Sequence, residues 1–168
     1  LAHREMMGCD YYGFPAKMVE YDYPPRASRT KPGGMHRYMA LRGATHVVAY
    51  EKRYIVYFRS EPSLFREIAT LRDPSEVNNN VYVFFEIIGA EGRFLEGSGK
   101  ISATFNEIKV EFDDPVPSRA VIRYNWNDRF EVDPPTKIFP VDTGEDAVFI
   151  GIEPNGEQEV IIRYRSVF

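Results

Sequence analysis

Glu107-Ile108-Lys109-Val110-Glu111-Phe112 alternates without error. Charged side chains hold one parity, and Ile108, Val110 and Phe112 hold the other. A period of two is the mark of a half-buried β-strand. The same grammar runs outward to the C-terminus. Lys100–Thr104 precedes this strand across the short turn Phe105-Asn106, and Pro115 and Pro117 separate it from Arg119–Trp126. In that strand Ala120, Ile122, Tyr124 and Trp126 share one face, while Arg119, Arg123 and Asn125 share the other. Asp128–Val132 is a short strand ending at Pro134-Pro135. Asp146–Ile152 and Glu157–Tyr164 flank Glu153-Pro154-Asn155-Gly156, which reads as a hairpin turn.

Upstream, Val81–Ile88 is apolar on both parities except at Glu86, as expected of a central strand with both faces covered. Met35–Leu41 predicts two turns of helix stopped at Gly43. Thr45–Tyr50 and Tyr54–Phe58 read as a hairpin across Glu51-Lys52-Arg53. In Pro62–Leu71, Leu64, Phe65, Ile68 and Leu71 have helical spacing. Asn78-Asn79-Asn80 reads as a loop and Gly89–Gly99 as a glycine-broken connection. Residues 1–34 are punctuated by Pro and Gly, with at most one short strand near Met18–Tyr23, and form an irregular segment packed on the domain or linking it to upstream sequence. The expectation is a mainly β protein: one antiparallel β-sandwich over 35–168, with one or two short helices in its N-terminal half.

Composition narrows the function classes. The 168 residues, 43% of them hydrophobic, suffice for a real core, since a chain of this size buries roughly 70% of its unfolded surface. The net charge of -4 offers no electrostatic footprint for nucleic acid, which is not expected as a partner. With 11 Tyr, 12 Phe and one Trp, the aromatic content suits strands and leaves room for a sugar-binding surface. The single cysteine, Cys9, forbids an internal disulfide and argues weakly for a reducing compartment. No run of 18 apolar residues is present, as a membrane-spanning helix would need. The opening Leu1-Ala2-His3-Arg4, without an initiator Met, reads as a piece cut from a longer protein, with a processed product as the alternative.

Few residues point to chemistry. Gly89, Gly92, Gly97 and Gly99 lack the spacing and the Lys-Ser/Thr of a phosphate loop. His3, His36, His46 and Cys9 share no zinc-ligand spacing, and a Cys9 dyad with His36 or His46 has less to support it than a packed thiol. Asp113-Asp114 and the turn holding Asp142, Glu145 and Asp146 are oxygen-rich, as calcium prefers, but Asp and Gly serve turns equally well. No cofactor is expected. Glu86 is the odd acid in an apolar strand. Paired with a second carboxylate it would suit a small glycoside hydrolase; otherwise it caps a strand end or pairs with an arginine. Tyr124-Asn125-Trp126-Asn127-Asp128-Arg129-Phe130 is the most distinctive string. Tyr124, Asn125, Trp126 and Asp128 would form the contact set of a free-standing carbohydrate-binding module, against the simpler reading of a core Trp followed by a polar turn.

The order of elements resembles a known type of domain. Tyr38–Val48, with its helix leading through Leu41-Arg42-Gly43 into Thr45-His46-Val47-Val48, resembles the start of soluble domains that follow the membrane helices of polytopic glycosyltransferases and YfhO-like membrane proteins. Val81–Glu86, Asn106–Phe112, the proline-led strand Pro115–Tyr124, Asn125-Trp126 and Val160–Tyr164 are similar to successive strands of those domains. The resemblance spans about residues 36–165. It departs where the usual proline and glycine before the tryptophan are missing. It implies a non-catalytic accessory β-domain on the extracytoplasmic face of a membrane enzyme that uses lipid-linked sugars, with a cytoplasmic placement as the alternative. The partners implied are the upstream membrane portion of the same polypeptide and a glycan. The catalytic acids of such enzymes lie in loops of the membrane portion, so none is carried onto this chain.

Overall fold

The computed structural model describes residues 30–72, 81–104, 106–144 and 147–165. Among them the protein is mainly β: three antiparallel sheets, with both helices in the N-terminal half. The span expected to form one sandwich contains two compact units, divided between Gly92 and Arg93. The expected strand near Met18–Tyr23, the loop Asn78–Asn80 and the turn residue Phe105 lie outside the described residues.

The first unit runs α1 (Gly34–Leu41), β1 (His46–Ala49), α2 (Lys52–Ser60), β2 (Phe65–Arg72) and β3 (Val81–Ile87). α1 ends at Gly43 as its sequence predicts. Gly43 takes φ 71°, its N–H donates to Ala40 O, and Ala44 N–H donates to Met39 O. These two bonds satisfy carbonyls that a helix end leaves open, and the left-handed residue between them is one that glycine adopts without penalty.

The three strands lie in the order β1-β3-β2. Phe65, Val83, Phe85, Ile87 and Ala49 share one face and are buried, with Met35, Tyr38 and Met39 of α1 and Phe58 of α2 also buried. The Phe58 ring lies 4.7 Å from Phe65 and 5.3 Å from Phe85, and His36 meets Phe65 edge-on at 5.7 Å. Both helices therefore pack on this face.

Two sequence expectations are corrected here. Tyr54–Phe58 is helical, not a strand. Its run is apolar on both parities, so periodicity does not choose for it. Packing does: Tyr57 and Phe58 turn inward while Val56 stays out, which is a helical face. Pro62–Leu71 is the reverse case. It forms a turn and then β2, whose register against β3 slips between Glu67 and Ala69. That bulge inserts one residue, so Ile68 and Leu71 stand three apart on a strand, and three is also helical spacing. Arg59 of α2 clasps Glu67 of β2 through two hydrogen bonds of 2.8 and 3.1 Å, and the Thr70 hydroxyl donates to the same carboxylate. Led by the Arg59 bond, these donors hold Glu67 below the usual carboxylate range.

The second unit is an eight-stranded sandwich. Its strands are β4 (Phe94–Glu96), β5 (Gly99–Ala103), β6 (Glu107–Phe112), β7 (Ala120–Asn125), β8 (Phe130–Asp133), β9 (Lys137–Asp142), β10 (Val148–Glu153) and β11 (Glu159–Tyr164). One sheet has the order β4-β7-β10-β9 and the other β5-β6-β11-β8. Ile108, Val110, Phe112, Val160 and Ile162 of the second sheet meet Ala120, Ile122, Tyr124, Ile150 and Ile152 of the first in one core. Each large side chain buried there contributes about 1.5–3 kcal/mol relative to exposure. The opening alternation is thus read correctly: Ile108, Val110 and Phe112 face in.

Three further corrections apply. β10 and β11 belong to different sheets, so the turn at Asn155-Gly156 carries the chain from one layer to the other rather than closing a hairpin. β4 and β9 were unexpected. β4 is three residues long, inside the glycine-rich connection. β9 contains Pro140, which is tolerated because β9 is an edge strand with one neighbour.

Two glycines are needed for close approach. Gly99 has φ 145°, and a side chain there would strike the Glu111 carbonyl. Gly151 lies on β10 directly opposite Phe139 of β9, and the Phe139 ring lies over its bare backbone, where a methyl group would meet the ring. An aromatic residue covering a strand glycine replaces the side chain that the glycine lacks.

The outer faces of the two sheets differ. On the β5-β6-β11-β8 sheet, Lys109 bridges Glu111 and Glu159 at 2.8 and 3.0 Å, and Arg163 meets Glu107 at 2.9 Å. The Glu111 hydrogen bond, followed by that of Glu159, raises the Lys109 ammonium above the ordinary lysine range. Lys109 in turn holds Glu111 below the usual carboxylate range. On the other sheet Val121 and Phe149, whose parity turns them away from the core, are buried.

Gly151→Ala is expected to destabilise the chain by about 1–3 kcal/mol through overpacking against Phe139. Combining it with Phe139→Ala should cost clearly less than the sum of the two single changes, as read by denaturant unfolding; additive costs would show that the ring does not cover the glycine. The Lys109 cluster carries a pH signature. A depressed carboxylate contributes stability that is present above its ordinary range and lost as the pH falls through its folded value. The melting temperatures of the native chain and of Lys109→Met should therefore differ slightly at neutral pH and low salt. They should converge as the pH drops below the ordinary carboxylate range, or as salt is added. A difference that persists in acid would remove the ion pairs as its cause.

Candidate functional site

Glu86 occupies the middle strand of the first unit. Its cross-strand partners are His46 on β1 and Arg66 on β2. The carboxylate is about one-third exposed and forms an ion pair with Arg66, the second of the two structural roles expected for it. Its row holds a histidine and an arginine, not the facing carboxylate that glycoside hydrolysis requires. His46 accepts or donates at Nδ1 to the Thr45 hydroxyl at 3.0 Å, according to its tautomer.

Asp142 ends β9, and its carboxylate accepts the Gly144 N–H at 2.8 Å; the Thr143 hydroxyl closes the same turn by donating to Ala147 O at 2.8 Å. That carboxylate is doing the work of an Asx turn. Glu145 and Asp146, the other members of the suggested calcium set, lie outside the described residues, as do Cys9 and His3. Among the described residues no three His, Cys, Asp or Glu side chains come close enough to hold a metal ion.

The aromatic string divides in two. Tyr124 is 2% exposed, inside the sandwich core, with the Arg93 guanidinium 4.9 Å from its ring centroid. Its ring is closed to a ligand, which removes it from the suggested sugar platform. Asn125 and Trp126 are half-buried, and Asp128 is exposed. Trp126 packs on the core from the strand end and meets Phe130 edge-on at 6.4 Å; Phe130 meets Tyr164 likewise at 6.4 Å. The polar turn beside them is tied to itself and to this row. Arg129 N–H donates to Asn127 Oδ1 at 2.9 Å, and Arg129 Nη1 donates to the Tyr164 hydroxyl at 3.3 Å. The structure thus joins Tyr164 to the string across 38 residues of chain from Trp126, a partnership that only sheet order reveals.

An exposed apolar surface lies elsewhere among the described residues. The helices of the first unit cover the Phe65-Val83-Phe85-Ile87 face of its sheet. The opposite face carries Val48 and Tyr50 beside β1, Tyr82 and Phe84 from β3, and Ile68 and Leu71 from β2. Val48 is 43%, Tyr50 57%, Ile68 50% and Leu71 57% exposed. The Tyr50 and Tyr82 rings lie 6.3 Å apart, and the row His46–Glu86–Arg66 gives the patch a charged end. Single exposed apolar residues are ordinary, but a contiguous set on one sheet face marks an interaction surface. Sequence reasoning missed it because Ile68 and Leu71 were placed on a helix. The signal that could have found it was the alternation of Tyr82, Phe84 and Glu86 opposite Val83, Phe85 and Ile87.

None of the described helices is long and apolar enough to cross a membrane. No family model, curated protein or solved structure matches this chain.

Proposed function

We propose that the chain is a non-catalytic accessory module of a larger membrane protein and that it docks on the remainder of that protein through the open face of its first sheet. The observation that carries the docking role is the exposed apolar set Val48, Tyr50, Ile68 and Leu71, on a sheet whose other face is already covered by helices. A sheet with a solvated face ordinarily alternates apolar-in and polar-out; here the outward positions are apolar as well. The membrane setting, with an enzyme of the glycosyltransferase kind as its parent, comes from the resemblance of residues 36–165. The occupant is then the upstream portion of the same polypeptide. The charged row at His46–Glu86–Arg66 supplies the polar rim that such contacts carry.

The free-standing sugar-binding reading keeps less of its contact set, since Tyr124 lies in the core. Asn125, Trp126 and Asp128 remain accessible to differing degrees.

The test uses the whole gene product in its own membrane. A photo-crosslinking residue at position 71 should capture the membrane-embedded portion, and one at position 109, on the charged sandwich face, should not. Leu71→Lys should leave the isolated module's unfolding free energy within about 0.5 kcal/mol, as surface changes do, and should abolish the capture that a crosslinker at position 68 otherwise makes. Capture from 109 alone, or a gene product that lacks membrane-spanning segments, overturns the proposal.

A further inference from the structure

Asn155-Gly156 is the single Asn-Gly pair in the sequence; the other six asparagines precede Asn79, Asn80, Val81, Glu107, Trp126 and Asp128. The pair forms the centre of the turn Pro154–Glu157. Asn155 has φ 56° and Gly156 φ 89°, and Glu157 N–H donates to Pro154 O at 3.1 Å. Positive φ at both central residues is the arrangement Asn-Gly favours. Both residues are exposed, and an atom added at the Gly156 Cβ position would find nothing within 4 Å. The Cα side of Gly156 is therefore open.

The geometry points to Asn155 as a site of spontaneous covalent self-modification, with the Gly156 backbone amide as nucleophile and water as co-reactant. The deprotonated Gly156 nitrogen attacks the Asn155 side-chain carbonyl carbon. A new C–N bond closes a five-membered succinimide, and the bond to the side-chain nitrogen breaks, releasing ammonia. Water then opens the imide. Attack at the side-chain carbonyl leaves aspartate in an ordinary backbone; attack at the main-chain carbonyl leaves isoaspartate, with the chain rerouted through the side chain. No oxidant or reductant takes part, and the net change is amide plus water to carboxylate plus ammonium.

Glycine is decisive because a larger residue would obstruct approach of its own nitrogen. The turn sets the rate: the Asn155 backbone must rotate for the nitrogen to reach the side chain, so the Glu157–Pro154 hydrogen bond opens first. The product alters the fold at a sensitive point. These residues carry the chain from one sheet of the sandwich to the other, and the isoaspartyl form adds a backbone methylene there. Either product also places a carboxylate between Glu153 and Glu157, where like charges repel.

The full chain should be incubated at mildly alkaline pH and physiological temperature, sampled over weeks, and mapped by peptide mass spectrometry with fragmentation. The probe for isoaspartate is methyl transfer by a purified isoaspartyl methyltransferase. The expected result is a gain of one mass unit at residue 155 ahead of every other asparagine, faster as the pH rises, with methyl acceptance in the same peptide. Both signals should be lost in Asn155→Gln, whose longer side chain would have to close a less favourable six-membered ring. Earlier modification at another asparagine would overturn the assignment. So would a gain at 155 that appears only in the denatured chain, because the folded turn would then protect the residue.

Discussion

A β-sheet has two faces, and every sheet in this chain must find something for each of them. The β5-β6-β11-β8 sheet has the simplest solution: aliphatic residues inward, and outward a network in which Lys109 joins Glu111 and Glu159 while Arg163 joins Glu107. The facing sheet shares the same core through Ala120, Ile122, Tyr124, Ile150 and Ile152, yet it also buries Val121 and Phe149 on its far side. The sheet of the first unit hides one face beneath two helices and leaves the other apolar and exposed. The function proposed for the chain follows from that third arrangement, because burying apolar surface is the dominant favourable term both in folding and in association.

The legibility of the sequence varies with the same constraint. Where one face is buried and the other solvated, as at Glu107–Phe112, the period of two is unambiguous and survives intact in the structure. Where both faces are apolar, the period vanishes. Tyr54-Ile55-Val56-Tyr57-Phe58 carries strong strand formers, yet the contacts of Tyr57 and Phe58 with Phe65 and Phe85 make it a helix. Tertiary packing outweighs propensities worth only tenths of a kcal/mol per residue. The bulge in β2 produced the opposite error, since one inserted residue turned strand spacing into apparent helical spacing. β9 was hidden by Pro140, which a central strand would exclude and an edge strand accepts.

The candidate sites were legible as residues but not as environments. Glu86 stood out as an acid in an apolar strand with an arginine as its expected partner, but Arg66 lies on a segment read as helix, so which arginine it meets could not be foreseen. Tyr124 and Trp126 share parity, and that parity was read correctly; burial separates them. One sits in the middle of the core and the other at its end, against Phe130 and, through it, Tyr164. Distance along a strand from its end is set by sheet order, which local sequence does not encode.

The open face of the first unit is the clearest case of information that only pairing supplies. Val48, Tyr82, Phe84 and Leu71 come from three strands, and β2 and β3 flank a segment outside the described residues. None of these side chains is unusual where it stands. Set side by side, with the opposite face already occupied by Phe58 and its neighbours, they form a surface that cannot turn inward to satisfy itself. Rotating the sheet would expose Phe65, Phe85 and Ile87 instead, which are more deeply buried. The sheet is thus committed to its present orientation. Among the described residues that outward apolar face stays exposed, and a partner drawn from the same polypeptide would meet it without the translational entropy that a separate molecule must give up.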